Sequence, residues 1–417
     1  MFSSATLRRW AGISVEGAKC FSRAIQTATR RAGVSPWLML PPAVDGIGNI
    51  DYKFRSLVDY KELTYTNKIG GGEGELELPV DVDIVKDVKF VGSSHGWLAL
   101  QNRRNYENLF LSNPITGRHI KLPPPPASGA SGRLILSAGG DIEADGCLAR
   151  MTYSDKPLTL AFCSPLRSKE WTLLNVWGGG DGRDYYDNIV YSTTHHRLFC
   201  AIRYSGGYDV TGLECWDLNG NPPRRDWVIH QRKSRWPVMS EFKERCHQVR
   251  YLVCSGEVLL LVVRHVNIRA GPHGSMVDEV MLSPDMGCLY TKTPYKTIDF
   301  DVYRIDPERG LGEVELMERS LGGLAIFVGI NEPFAIRAAK EEVGGVRPDC
   351  VYFTEDNHPL AELLMVEGSC TYGGHDNGIF DYKNKDFYSC CDVYPIEYER
   401  IRKILPLPLW FTPTTTL

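Results

Sequence analysis

Long apolar runs are missing from this chain. The longest, Val258–Val263, falls far short of the roughly 18–20 residues a helix needs to cross a bilayer, so no membrane span is encoded. Metal-ligand spacing is missing as well. Twelve cysteines are present, yet no two stand as Cys-x-x-Cys, and no His-Glu-x-x-His occurs. Neither a zinc ribbon nor a zincin helix is therefore written into the chain, and no metal or cofactor is expected. Most of the cysteines sit inside apolar, strand-like runs, where a free thiol packs as a small hydrophobe. They read as buried thiols in a reducing compartment rather than a disulfide framework. Long helical patterns are scarce, whereas 40 glycines and 25 prolines signal many turns.

Positive charge is short where nucleic acid would need it. The net charge is −4, but residues 1–44 carry Arg8, Arg9, Lys19, Arg23, Arg30 and Arg31 against Glu16 alone. The body that follows is therefore markedly acidic, which argues against a phosphate-binding face and against a nucleic-acid partner. In the basic head, a helical wheel gathers Leu7, Trp10, Ala11, Ser14, Val15, Ala18, Phe21 and Ile25 on one side and the cations on the other. An Arg-rich, acid-poor amphipathic head reads as an organelle-targeting presequence, disordered or helical, over residues 1–34. Its arginine density and moderate Ser/Thr content favour a mitochondrion over a chloroplast.

From Lys53 onward, short apolar or alternating runs recur between turn residues. They include Lys89–Val91, Trp97–Gln101, Asn108–Ser112, Leu134–Ser137, Leu198–Arg203, Cys350–Thr354 and Asp386–Cys391. Val249–Cys254 and Val258–Val266, joined by Ser255-Gly256-Glu257, predict a hairpin. So many short strands with so few helices predict an all-β fold, and the length fits a β-propeller of about six or seven blades. No crisp repeat fixes that number. Residues 267–296 and 356–375 interrupt the rhythm and read as surface insertions.

Several segments, in order, resemble the plant F-box-associated domain-of-unknown-function 295 family, of the KIB type. They are Ser35–Pro41, Gly92–Leu98, Leu109–Gly117 with Ile120–Pro124, Tyr251–Val262, Cys350–Asp356, Asn377–Phe380 and Pro408–Pro413. The resemblance implies a β-propeller over residues 35–413. Many members carry an F-box and resemble substrate receptors of ubiquitin ligases. Here only 34 residues precede Ser35, without an F-box-like run, so the chain is similar to an organellar branch in which a presequence replaces the F-box.

Candidate chemistry is thin, and no enzyme activity is expected. Gly92-Ser93-Ser94-His95-Gly96 fits Gly-x-Ser-x-Gly, but a strand-like run follows where a nucleophile elbow needs a helix. The segment reads as a hairpin turn; a hydrolase at Ser94 and His95 is the alternative. Gly70–Glu75 lacks the Gly-Lys-Ser/Thr of a phosphate loop, and His195-His196 has no ligand partner at metal spacing. Acids such as Asp299, Asp301, Glu355 and Asp356 are expected to face water. The remaining feature is a stretch of mixed bases and aromatics. Arg224, Arg225, Arg232, Lys233, Arg235 and Trp236 form a candidate contact surface for a protein partner. The expectation is thus a non-catalytic interaction scaffold; a ubiquitin-ligase substrate receptor is the other family-based reading.

Overall fold

The computed structural model describes residues 35–44, 49–57, 59–67, 88–102, 107–125, 130–137, 147–152, 159–174, 184–204, 210–220, 223–230, 243, 246–267, 295–305, 314–338, 345–356, 373–390, 404 and 407–413. Every bounded element among them is a strand. In chain order these are β1 (Trp37–Val44), β2 (Ile50–Ser56), β3 (Glu62–Asn67), β4 (Val88–Ser94), β5 (Trp97–Asn102), β6 (Leu109–Ser112) and β7 (His119–Lys121). Next come β8 (Ala130–Leu136), β9 (Cys147–Thr152), β10 (Thr159–Cys163), β11 (Thr172–Leu174), β12 (Asp184–Ser192), β13 (Arg197–Tyr204), β14 (Val210–Asp217) and β15 (Arg224–His230). The remainder are β16 (His247–Ser255), β17 (Val258–Asn267), β18 (Lys296–Ile305), β19 (Val314–Leu316), β20 (Leu324–Val328), β21 (Phe334–Arg337), β22 (Cys350–Phe353), β23 (Gly378–Asp381), β24 (Asp386–Tyr388) and β25 (Leu409–Phe411).

Three antiparallel meanders, β4 to β7, β8 to β11 and β12 to β15, each form a four-stranded sheet. A nine-stranded sheet holds a fourth meander, β16 to β19, joined through β21 to β20, β22, β23 and β24. The last sheet runs β25-β1-β2-β3, so the C-terminal strand pairs with the N-terminal one, Trp37 opposite Phe411 and Met39 opposite Leu409.

Packing explains why the apolar runs are continuous rather than alternating. Side chains of a strand point to opposite faces, and here both faces are covered. Leu259, Leu261 and Val263 of β17 pack with Val190, Phe199 and Leu213, while Leu260 and Val262 pack with Ile326, Val351 and Phe380. Strand β5 divides likewise, Trp97 and Ala99 toward β8 and β10, Leu98 and Leu100 toward β1, β2 and β25. Six such clusters follow one another around the molecule and close on themselves. In the closing cluster, the fully buried Trp410 meets Phe327 and Tyr352 edge-on, with centroids 5.2 and 5.8 Å away. Each fully buried aliphatic or Phe side chain contributes about 1.5–3 kcal/mol of transfer free energy. This is an all-β propeller architecture.

The turns carry their own chemistry. His95 and Gly96 both have positive φ, 49° and 82°, as a two-residue primed hairpin turn between β4 and β5 requires. In Asn113-Pro114-Ile115-Thr116-Gly117, the Asn113 side chain accepts from the Ile115 and Thr116 amides at 3.1 Å. The Gly117 amide then bonds the Asn113 carbonyl at 2.9 Å, with φ at 70°. The expected Gly256-Glu257 turn joins β16 to β17, Ser255 facing Val258.

Strand formation begins earlier than the sequence predicts, at Trp37. Pro41 and Pro42 disguise β1, because proline cannot donate to a ladder. The register of β1 on β2 shifts between Leu40 and Ala43, which lets the prolines pass. Arg224 and Arg225 of the candidate contact stretch are the first residues of β15.

Candidate functional site

Inside β17 the apolar run is interrupted by Arg264 and His265, both buried. A charge in a strand covered on both faces must be paired, or its desolvation is ruinous. Arg264 is paired at every edge. Its Nε donates to Thr297 Oγ1 at 2.7 Å, Nη1 to the Thr354 carbonyl at 2.8 Å, and Nη2 to Asp376 Oδ2 at 2.7 Å and the Asp376 carbonyl at 3.0 Å. The guanidinium also lies 5.0 Å over the Phe353 ring. Asp376 in turn accepts from the Thr297 amide at 3.0 Å and the Thr297 hydroxyl at 2.7 Å. One buried ion pair thus pins β17, β18 and the segments flanking β22 and β23. Beside it, burial pushes the Glu355 carboxyl far above its ordinary range, against the pull of Arg264 and with the push of Asp376.

A second arginine crosses between sheets. Arg133 of β8, almost fully buried, donates through Nη2 to the Gly329 carbonyl at 2.7 Å and to Asp356 Oδ2 at 3.0 Å. It sits 5.6 Å over the Tyr251 ring of β16. Gly329 has φ 154°, and an added Cβ would stand 2.0 Å from Thr354 Oγ1, so only glycine fits there. At β4, the Ser94 hydroxyl donates to Glu332 and accepts from the Leu136 amide at 3.3 Å. Between β12 and β16, Asn188 donates to the Arg250 carbonyl and accepts from the Leu252 amide, both at 3.1 Å. Strands β4, β8, β12 and β16 are spatial neighbours in that order. The polar residues on them form a belt binding sheet to sheet.

Two smaller clusters follow the same rule. His265 Nε2 meets Asp301 Oδ2 at 2.8 Å, and Lys243 reaches Asp301 at 2.6 Å and Asp299 at 2.8 Å. Burial alone would raise the Asp301 carboxyl; the bonds from His265 and Lys243 outweigh it and hold the group below its ordinary range. Glu214, fully buried, accepts from the Tyr186 hydroxyl, from Trp216 Nε1 at 3.0 Å and from Arg225 Nη1 at 3.2 Å. The expectation that these acids face water is corrected for Asp301 and Glu355, which are buried.

The belt binds sheets; its geometry orders no nucleophile for attack. Ser94 donates to a carboxylate rather than to an imidazole, and His95 Nε2 stands 3.6 Å from that same carboxylate. A relay places the imidazole between hydroxyl and carboxylate. His195 Nδ1 meets the Ser192 hydroxyl at 2.7 Å within its own turn, and its ring packs edge-on against Phe199. Thiols at Cys215, Cys254 and Cys350 are pushed up to about 12 by burial, which leaves them protonated and unreactive. Among the described residues no group of three or more His, Cys, Asp or Glu is placed to hold a metal ion. No helix there is long and apolar enough to cross a membrane.

Of the six predicted contact residues, Arg224 and Arg225 lie exposed beside Asp226 on β15, the outermost strand of its sheet. Arg225 also reaches inward to Glu214. Arg232, Lys233, Arg235 and Trp236 lie outside the described residues, as do 1–34, Gly70–Glu75, 268–294 and 357–372. The inward belt escaped sequence reading because Arg264 and Asp376 are 112 positions apart. Its one local signal is an Arg-His pair closing an otherwise apolar run.

No curated protein matches the chain. Solved structures match at low identity. A chain of the mitotic checkpoint complex shares 13% identity with a TM-score of 0.26, over 47% of this chain and 55% of that one. The Cps50 (Swd1) β-propeller domain of Myceliophteria thermophila shares 9%, TM-score 0.34, over 83% and 81%. A prolyl endopeptidase shares 10%, TM-score 0.31, over 93% of this chain and 54% of the other. The chain thus spans little more than half of the first and third. A family model described as the KIB1-4 β-propeller matches residues 73–381, well over half of the chain, and the chain belongs to that family.

Proposed function

We propose that this propeller is a non-catalytic scaffold that binds a protein partner inside an organelle, with the mitochondrion as first choice. The supporting observation is how its charges are divided. Buried Arg264, Arg133, Glu214 and Asp301 are each committed to partners inside the fold, whereas β15 presents Arg224, Arg225 and Asp226 on an exposed outer strand. Rigid sheets holding arginines at their rim suit macromolecular recognition, where arginine anchors carry a disproportionate share of the energy. The basic patch on an acidic body selects a partner with an acidic contact surface, which the charge arrangement would also steer on approach.

Two experiments test this reading. Full-length tagged protein carrying alanine at Arg224, Arg225, Arg232, Lys233 and Arg235 is expected to recover less partner than wild type; unchanged recovery removes this patch. Residues 1–44 fused to a fluorescent protein are expected to carry it into mitochondria, and a diffuse cytosolic signal would refute the address.

A further inference from the structure

Two exposed tyrosines flank the seam where the ring closes. Tyr60, in the β2–β3 turn, is 52% exposed, and Tyr388, on β24, is 38% exposed. They belong to one neighbourhood. Leu57 beside Tyr60 and Val346 beside Arg347 share a hydrophobic cluster with Tyr352 and Trp410. The Tyr352 hydroxyl accepts from the Arg347 amide at 2.8 Å and feels both the Arg347 charge and the Tyr60 hydroxyl. The Arg347 guanidinium lies 4.7 Å over the Tyr388 ring, and Arg55 lies 5.9 Å over that of Tyr60.

Three observations set this spot apart from ordinary surface. Tyr60 holds φ at 55°, a conformation bulky residues avoid, and such outliers gather at functional sites. The nearby acid is already engaged, Asp59 by the Lys61 side chain at 3.3 Å, and Asp349 accepts from Ser320, Leu321 and Gly323. Among the described residues, no hydrogen bond or ion pair reaches the Arg347 guanidinium, although the residue is half-buried. A guanidinium held over an aromatic face and lacking a described acceptor has N–H donors to offer a carboxylate.

We propose that Tyr60, Arg347 and Tyr388 form a docking surface for an acidic peptide segment of a partner protein. A carboxylate of that segment takes the Arg347 fork, and its neighbouring apolar side chain packs between the two tyrosines. Charge complementarity selects the occupant: among the described residues the Arg347 guanidinium, lying over the Tyr388 ring, meets no acceptor of its own. The tyrosine and arginine composition is that of energetic centres in protein interfaces. This surface rests on the scaffold reading and gives it a partner chemistry at a place distinct from β15.

The test uses purified full-length protein and a fluorescein-labelled peptide of alternating glutamate and phenylalanine, read by anisotropy, with a lysine–phenylalanine peptide as control. The acidic peptide is expected to bind, weakened about tenfold or more by Arg347→Ala and by Arg347→Lys, which keeps the charge but not the fork. Tyr388→Ala weakens it, and Arg224→Ala leaves it unchanged. Equal binding by wild type and Arg347→Ala, no binding of the acidic peptide, or preference for the lysine peptide overturns the proposal. Circular dichroism and melting temperature of each variant separate lost binding from lost fold. The scaffold reading is judged separately, by partner recovery. A defined partner set that Arg347→Ala leaves intact sinks this surface and spares the scaffold.

Discussion

Arg264 and Arg347 both lie over an aromatic ring, at 5.0 Å from Phe353 and 4.7 Å from Tyr388, yet they serve opposite ends. Around Arg264 every edge of the guanidinium meets an acceptor from another strand or loop, and water is excluded. Around Arg347 the aromatic ring is present and the acceptors are absent among the described residues. The contrast separates charge that builds the ring from charge the ring presents.

The largest expected effect comes from breaking the inner member of this pair. Arg264→Ala leaves Asp376 buried without its cation, and removing one partner of a buried ion pair costs about 3–5 kcal/mol. Urea denaturation should show the midpoint collapse, while Arg347→Ala should shift stability by less than about 0.5 kcal/mol. Comparable losses in both variants would erase the distinction.

An intermediate effect concerns pH. A glutamate in the unfolded chain loses its proton near 4.5, whereas folded Glu355 keeps it until about 8. The folded state therefore binds more protons across that window. Its contribution is full below 4.5 and is lost as pH rises toward 8. Arg264 opposes the shift, and Asp376 and Asp356 reinforce it. Depressed His195 and His375 give the opposite slope on the acid side. The clean readout is thus the difference between wild type and Glu355→Gln, measured by denaturation at pH 5 and pH 8. The variant should gain on wild type as pH rises; parallel curves would place Glu355 in water.

The smallest effect sharpens the outer member. Tyr60→Gly relieves a left-handed backbone and should raise stability by about 1 kcal/mol, while weakening the acidic peptide. A gain in stability with binding untouched would make the strain incidental.

Much of the fold was legible in the sequence because its strands are buried on both faces. β5, β6 and β17 stand within a residue or so of the predicted runs, and the turn at Gly256-Glu257 lies where its residues demand. The ring-closing strand β1 was hidden by Pro41-Pro42, whose irregularity only the partner strand β2 resolves. β9 and β21 carry too few contiguous apolar residues to stand out. The inward charges were invisible for a different reason. Arg133 finds Asp356 across 223 positions, and only the closed ring brings them together. Sequence reading correctly took Ser94 and His95 as a hairpin turn, since a primed turn needs its left-handed pair and not a following helix. Arg224 and Arg225 stand out in the sequence as charge and not as strand, and pairing with β14 makes them the start of β15.

The central claim is that this KIB1-4 propeller is an organellar scaffold. The most direct measurement is recovery of tagged full-length protein from fractionated cells, with its companions identified by mass spectrometry. The account predicts recovery from mitochondria with a defined set of partner proteins. Recovery from cytosol or nucleus with ubiquitin-ligase adaptors would contradict it.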